Sequence, residues 1–498
     1  YLFLIFIGIT SQITCEKCRK TSQNLDKKYR ITSQKCYNLY GKTSQRKDVI
    51  YMMYRKFYEY MMQWKQDKNK KALYINGARQ IGKTTLIREF GKKNYKKFLE
   101  INFITTPSAK TIFEGDLSAD LLITKLTAYF KTELIPHDTL IFFDEIQECM
   151  EVRTAIKFLV EDRRFDYIES GSLLGVTYQN VKSLPVGYED PHTMYPMDFE
   201  EFAIAMGIQQ STLNILKEAY INRKPVDDFI HKEMMKLFKF YCVVGGMPAV
   251  VQAFIQTKDM GKVINEQKGI LELYRKDVQK YAEKGKDKIQ MIFDAIPAEL
   301  NNKNKRFILS DLKKSARSER YESCFNWLND AGVTLPCYNL QELKQPVAIN
   351  LSRNLFKLFL NDTGLLCAMS SSNIQYMIIS DDLDVNEGSI MENMFATQLV
   401  SNGYKIYYYD KKKFGELDFV IESENKLQPI EIKSGNNYKK HPALNHVIEM
   451  KDDQMKKPIV FCIGNIEETE DLIYIPLYMV MFLTEPVSLG KIDFTLHI

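Results

Sequence analysis

The chain has 498 residues, with 68 Lys+Arg against 63 Asp+Glu for a net charge of +5, and is 45% hydrophobic and 26% charged. That is the composition of a soluble globular protein of two to four domains, and its mild basicity is compatible with nucleic acid without arguing for it. No stretch of about eighteen consecutive apolar residues occurs, which excludes a visible transmembrane helix.

Residues 1–9 are apolar but too short to span a bilayer. Thr-Ser-Gln then recurs at 10–12, 21–23, 32–34 and 43–45 with too few consistent apolar positions to bury a coiled-coil seam. We read 1–51 as a leader of translated repeat sequence, with Met52 or Met53 as the start. Cys15-x-x-Cys18 with Cys36 lacks a fourth ligand at zinc spacing. Scattered cysteines in apolar surroundings, such as Cys242, Cys367 and Cys462, suit a reducing cytoplasm. Tyr54, Phe57, Tyr60, Met61 and Trp64 recur at helical spacing and predict a leading amphipathic helix against the domain that follows.

A short apolar strand, Ala72 to Asn76, leads into Gly77-Ala78-Arg79-Gln80-Ile81-Gly82-Lys83-Thr84, with a helix start from Thr85. Strand, glycine loop and helix form a phosphate cradle. The glycines admit close approach, successive amides point inward, and the helix N-terminus adds positive potential. In this pattern Lys83 reaches the β- and γ-phosphates of ATP and the Thr84 hydroxyl holds Mg²⁺. Strands at Phe98–Phe103 and Thr139–Glu145, the second ending in two carboxylates, flank a helical stretch at 118–132. Such alternation predicts a parallel sheet with its ligand at the carboxyl ends of the strands. Asp144 then suits the Mg²⁺ shell, and Glu145 suits polarising the attacking water. The next strand is expected from Phe165 to Ser172, and Ser170 or Ser172 at its polar end is placed to face the γ-phosphate.

GARQIGKTTL, LIFFDEIQ, ESGSLLG, MYPMDFEEF at 194–202 and Tyr241-x-x-x-Gly245-Gly246-Met247-Pro248 occur in this order. They are followed by Phe356 to Leu366, GELDFV and PIEIKSG. Together these resemble the prokaryotic AAA-family ATPases that carry a C-terminal domain of unknown function, over roughly residues 53–498. The resemblance implies an ATPase domain at 52–205, a helical lid at 206–285, a winged helix at 286–370 and a nuclease-like domain at 380–498. Its members usually carry a Gly-Arg pair shortly before the segment similar to MYPMDF; here Val186-Gly187-Tyr188 stands there. Without that arginine slow hydrolysis is expected, and activation by ring assembly is not.

In the winged-helix segment one helix is expected from Phe307 and a second from Glu319 to Ala331, with Gly332 as its stop and a hairpin through Pro346. Lys303, Lys305, Arg306, Lys313, Lys314, Arg317 and Arg320 cluster there and suit either DNA phosphates or protein docking. The last domain resembles the PD-(D/E)xK nuclease fold. Glu431 and Lys433 are two apart in a strand and so share a face. Asp418, Glu431 and the Ile432 carbonyl would bind Mg²⁺, Glu392 would complete its shell, and Lys433 would orient water. The overall expectation is an α/β chain in which Mg-ATP moves a DNA- or partner-binding module. ATP-gated DNA cleavage and a non-hydrolysing switch are the alternatives.

Overall fold

The computed structural model describes residues 53–171, 187–282, 285–302, 307, 321–370, 374–380, 387–450 and 452–485. The 1–51 leader, Ser172, Val186, the expected helix after Phe307 and the basic residues Lys303 to Arg306 and Lys313 to Arg320 lie outside them. The chain divides into two compact units, 1–66 and 67–498. The first contains the expected helix, Lys56–Gln66, with Glu59 in its first turn and Lys65 in its last, charges that complement the helix dipole.

In the second unit, β1 (Ala72–Asn76), β2 (Lys97–Asn102), β3 (Thr139–Asp144), β4 (Asp166–Ser170) and β5 (Glu189–Thr193) form a parallel sheet in the order β2-β3-β4-β1-β5. β3 is buried along its whole length, as its unbroken apolar run requires in a sheet covered on both faces. Phe103, Phe113, Phe143 and Tyr167 supply the aromatic centre of a hydrophobic core built on this sheet. Phe113 meets Phe143 edge-on at 5.6 Å, and Phe143 stacks on Tyr167 at 6.3 Å. In this order β4 separates β1 from β3, and Ser170 is in register with both Ile75 and Asp144. The carboxyl ends of β1, β3 and β4 therefore open side by side.

Helices Gln210–Ile221, Asp228–Val244, Pro248–Thr257 and Met260–Tyr281 follow, in the stretch expected to be helical. Local chemistry sets their starts. Asp227 accepts from the amides of Phe229 and Ile230, Pro248 opens its helix at a position that needs no amide, and Asp259 accepts from Gly261 and Lys262. Three of the recognised sequence segments meet at one joint. The Asp362 carboxylate accepts from Gly246 N at 2.6 Å and Leu365 N at 2.9 Å, while Tyr241 donates to the Met197 carbonyl at 2.7 Å. The approach is close enough that a Cβ on Gly246 would lie 2.0 Å from that carbonyl oxygen.

A second sheet contains β6 (Thr334–Leu340), β7 (Leu351–Leu360), β8 (Tyr407–Lys411), β9 (Gly415–Ser423), β10 (Lys426–Lys433), β11 (Ile459–Cys462), β12 (Glu467–Glu468) and β13 (Ile473–Pro476). Its order is β12-β13-β11-β10-β9-β8-β6-β7. The hairpin expected as a wing is β6 and β7, and it is not a separate wing: β6 pairs in parallel with β8 at Tyr338↔Tyr407, so the sheet runs unbroken across the 370–380 boundary. The physical reason is the edge of β6. Its backbone groups on the side away from β7 find partners in β8 instead of standing open. The second expected helix is present at Glu322–Asp330, and Gly332 follows it with φ 69°.

Candidate functional site

The glycine loop leaves β1 and closes on the helix Lys83–Asn94. Gly82 has φ 93°, and no side chain caps the helix, so its first-turn amides are presented to the loop. A Cβ on Gly77, at φ 134°, would lie 2.3 Å from the Met194 carbonyl oxygen. Only glycine fits there. Gln80 also has a positive φ, 67°. Ala78 and Ile81 are buried, whereas Thr85 is exposed on the helix. Lys83 donates to the carbonyls of Gly77 and Ala78, both at 2.8 Å, which holds its ammonium inside the loop. Burial lowers its pKa to about 8, against the opposing pull of Glu145 and Asp144.

Thr84 and Asp144 come together: the Thr84 hydroxyl lies 3.2 Å and 3.3 Å from the two Asp144 oxygens. Asp144 also accepts from Asn102 Nδ2 at 2.9 Å and from the Ser170 hydroxyl. Burial raises the pKa of this carboxyl, and the donors of Ser170, Asn102 and Thr84 pull it back. A hydroxyl beside an oriented carboxylate is a hard-oxygen pair that fits Mg²⁺, a cation that keeps most of its waters. Glu145 sits one residue beyond β3 at φ 57° and accepts from the Gln147 amide. Its left-handed backbone turns the chain sharply after the strand.

All the residues expected at the loop and after β3 thus gather at one end of the sheet. Ser170 is there too, but its hydroxyl is spent on Asp144. Asn102 was missed, and so was the outward grip of Arg79, itself an expected loop residue. Asn102 orients Asp144; its one signal was a polar residue ending an apolar strand. Arg79 ties the loop to the helix Met260–Tyr281, donating to Asp277 at 2.7 Å and to the Tyr281 hydroxyl at 2.9 Å. Burial lowers the pKa of Arg79, but Asp277, Tyr281 and Glu145 raise it by more. Tyr188, at the place where the resembling ATPases carry arginine, donates its hydroxyl to Glu161.

The C-terminal residues assemble differently from the expectation. The carboxylates that converge are Glu392, Glu416 and Asp418, with ligand atoms within 4.8 Å of one another. Glu431 is outside that group: its Oε1 accepts from Lys433 at 2.6 Å. Asp418 accepts from Ile432 N at 2.8 Å, so it grips the neighbouring strand. Lys357, which the sequence gave no reason to choose, reaches in from β7. Its ammonium is 2.9 Å from Glu392 and 2.5 Å from Glu416, and the side chain has no exposed surface. Burial lowers its pKa, yet Glu392, Glu416 and Asp418 outweigh burial and hold it above the ordinary lysine value. A fixed ammonium among the three carboxylates does not fit Mg²⁺, and no metal-dependent step is assigned to them.

Loop, sheet and acidic strand end define a P-loop nucleotide-binding domain. Residues 69–203 match the family described as an AAA domain, which supports an AAA-like P-loop domain for this segment. Residues 235–375 and 387–480 match two families described as domains of unknown function, DUF8612 and DUF4143. No curated protein matches the chain. Among solved structures, the Walker-type ATPase PABY2304 of Pyrococcus abyssi is 13% identical, with TM-score 0.36, covering 64% of this chain and 96% of that one. The Aeropyrum pernix ORC1 protein in complex with DNA is 12% identical, with TM-score 0.26, covering 66% and 91%. Cdc6p of Pyrobaculum aerophilum is 12% identical, with TM-score 0.25, covering 70% and 98%. Likeness at this level says nothing about what this chain binds. Among the described residues no helix is long and apolar enough to cross a membrane.

Proposed function

We propose that the chain binds ATP with Mg²⁺ at the glycine loop, hydrolyses it slowly, and passes the change to the helix Met260–Tyr281. The observation that carries this reading is the meeting of Lys83, Thr84 and Asp144 at the carboxyl ends of neighbouring strands, with Thr84 3.2 Å from Asp144. The loop amides and the first turn of the Lys83–Asn94 helix take the phosphate oxygens. Lys83 leaves the Gly77 and Ala78 carbonyls for the β- and γ-phosphates. Thr84 and Asp144 hold Mg²⁺, which when bound neutralises charge developing on the phosphates. Glu145 orients the attacking water and accepts its proton.

Arg79 supplies the route outward. Its backbone lies in the loop, while its guanidinium holds Asp277 and its carbonyl accepts from Tyr274 at 3.2 Å. A loop that re-forms around phosphate must move that grip. A second reading, a switch that holds ATP without turnover, is favoured by Tyr188 standing where an arginine would accelerate hydrolysis.

Phosphate release from Mg-ATP, measured beside plasmid integrity, separates the readings. Turnover that is lost in Glu145→Gln, with the plasmid intact, supports the ATPase. Tight binding without turnover supports the switch. Cleavage lost in Asp418→Ala or Lys433→Ala supports an endonuclease instead.

A further inference from the structure

The carboxylate cluster of the C-terminal sheet has the outline of a metal site and a feature at odds with one. Glu392 comes from the helix Gly388–Ser401, and Glu416 and Asp418 from one face of β9. Their oxygens are close enough to share a divalent ion. Lys357 comes from β7, on the far side of β6 and β8. Its side chain is wholly buried, its ammonium touches two of the three carboxylates, and the ring of Tyr408 faces it at 5.0 Å. Each contact favours the charged amine. The ammonium cannot swing out to water without unpacking β7, and taking its charge away from Glu392 in the interior would be costly.

We infer that Lys357 is the resident cation of this cluster, joining β7 to β9 and to the helix Gly388–Ser401, and that the cluster takes no divalent metal. Two further contacts close the site. Lys433, which would orient water, is committed to Glu431, and Asp418, which would hold metal, accepts from the Ile432 amide, so both are engaged within the sheet itself. A divalent ion seated among the carboxylates would lie within a few ångströms of a fixed like charge, with little water between to screen it. The segment then serves as a structural or docking module, its ionic centre fastening the hairpin β6–β7 to the rest of the sheet. This inference is independent of the ATPase reading, which concerns the other sheet.

The test is Mn²⁺ binding to the full chain, followed by electron paramagnetic resonance with ATP saturating, so that an ion held with nucleotide is counted separately. Wild type and Asp418→Asn should bind the same number of ions. Lys357→Met, which keeps the length and removes the charge, should gain an additional ion with at least tenfold higher affinity than any wild-type site outside the nucleotide, and Lys357→Met/Asp418→Asn should lose it. An additional wild-type ion that disappears in Asp418→Asn would overturn the inference, as would a folded Lys357→Met that gains nothing. Should Lys357→Met fail to fold, the wild-type and Asp418→Asn comparison decides alone.

Discussion

Lys83 offers a prediction with a magnitude. Its ammonium is buried in the loop and its pKa is lowered to about 8. A triphosphate binds the charged form, so the bound state must recover any proton the free protein has released. Near pH 8 about 0.5 proton should be taken up per ATP, and near pH 9 about 0.9. The apparent affinity should fall by a factor of about 1 + 10^(pH − 8), or about eightfold between pH 7.5 and 9, which is about 1.2 kcal/mol. In that window the terminal phosphate is already ionised, its second pKa being about 6. Titration calorimetry in buffers of different ionisation enthalpy reads the proton count directly. The linkage also has a sign in the absence of nucleotide. A lysine with a lowered folded pKa costs stability below about pH 8, and that cost is relieved as pH rises toward its ordinary value of 10.5. Flat affinity with no proton uptake at pH 8.5 would refute the reasoning, because the ammonium would then be solvated and its pKa not lowered by burial.

Other expectations follow from the same contacts. Glu145→Gln should lower phosphate release by about a hundredfold or more while ATP affinity changes little, since the residue acts on water and not on the phosphates. Asp277→Asn breaks the grip of Arg79, so ATP should still bind, but the nucleotide-dependent change in hydrogen exchange across 260–281 should shrink. Burial raises the Asp362 pKa to about 6, against the pull of the Gly246 and Leu365 amides. The folded protein therefore keeps a proton between about pH 4 and 6 that the unfolded chain releases, and the contribution of Asp362 to stability should fall as pH rises through that window. Asp362→Asn turns an amide donor toward one of those N–H groups and should cost about 1–3 kcal/mol at pH 7 in denaturant unfolding. Val substituted at Gly332 should weaken ATP binding, because even a Cβ there would lie 3.0 Å from Ala78 N.

What the sequence revealed was whatever lay along a short stretch of it. The glycine loop, its flanking strand and helix, and the two acids after Thr139–Phe143 are contiguous, and their spacing carries the geometry. That Glu431 and Lys433 share a face was readable for the same reason, through strand alternation, although their pairing with each other was not read. Contacts between distant segments left no such trace. Arg79 and Asp277 are 198 residues apart, and Asn102 is 42 from Asp144. Lys357 sits in a run, LSRNLFKLFL, that reads as an ordinary strand. Its neighbours become acidic only when the helix Gly388–Ser401 and β9 pack against it, so the sequence favoured Glu431 as a metal ligand over Glu416. The hairpin misled for a related reason: two antiparallel strands after a helix look alike whether they end a winged helix or extend a sheet, and the difference lies in β8, far along the chain.

The account rests on Lys83, Thr84 and Asp144 forming one site for Mg-ATP. A calorimetric titration of Mg-ATP into wild type and into Lys83→Ala tests it most directly. Wild type should bind one equivalent, and loss of the charged contacts of Lys83 should weaken binding by about 10- to 100-fold or more. Equal affinity in the two proteins would contradict the claim.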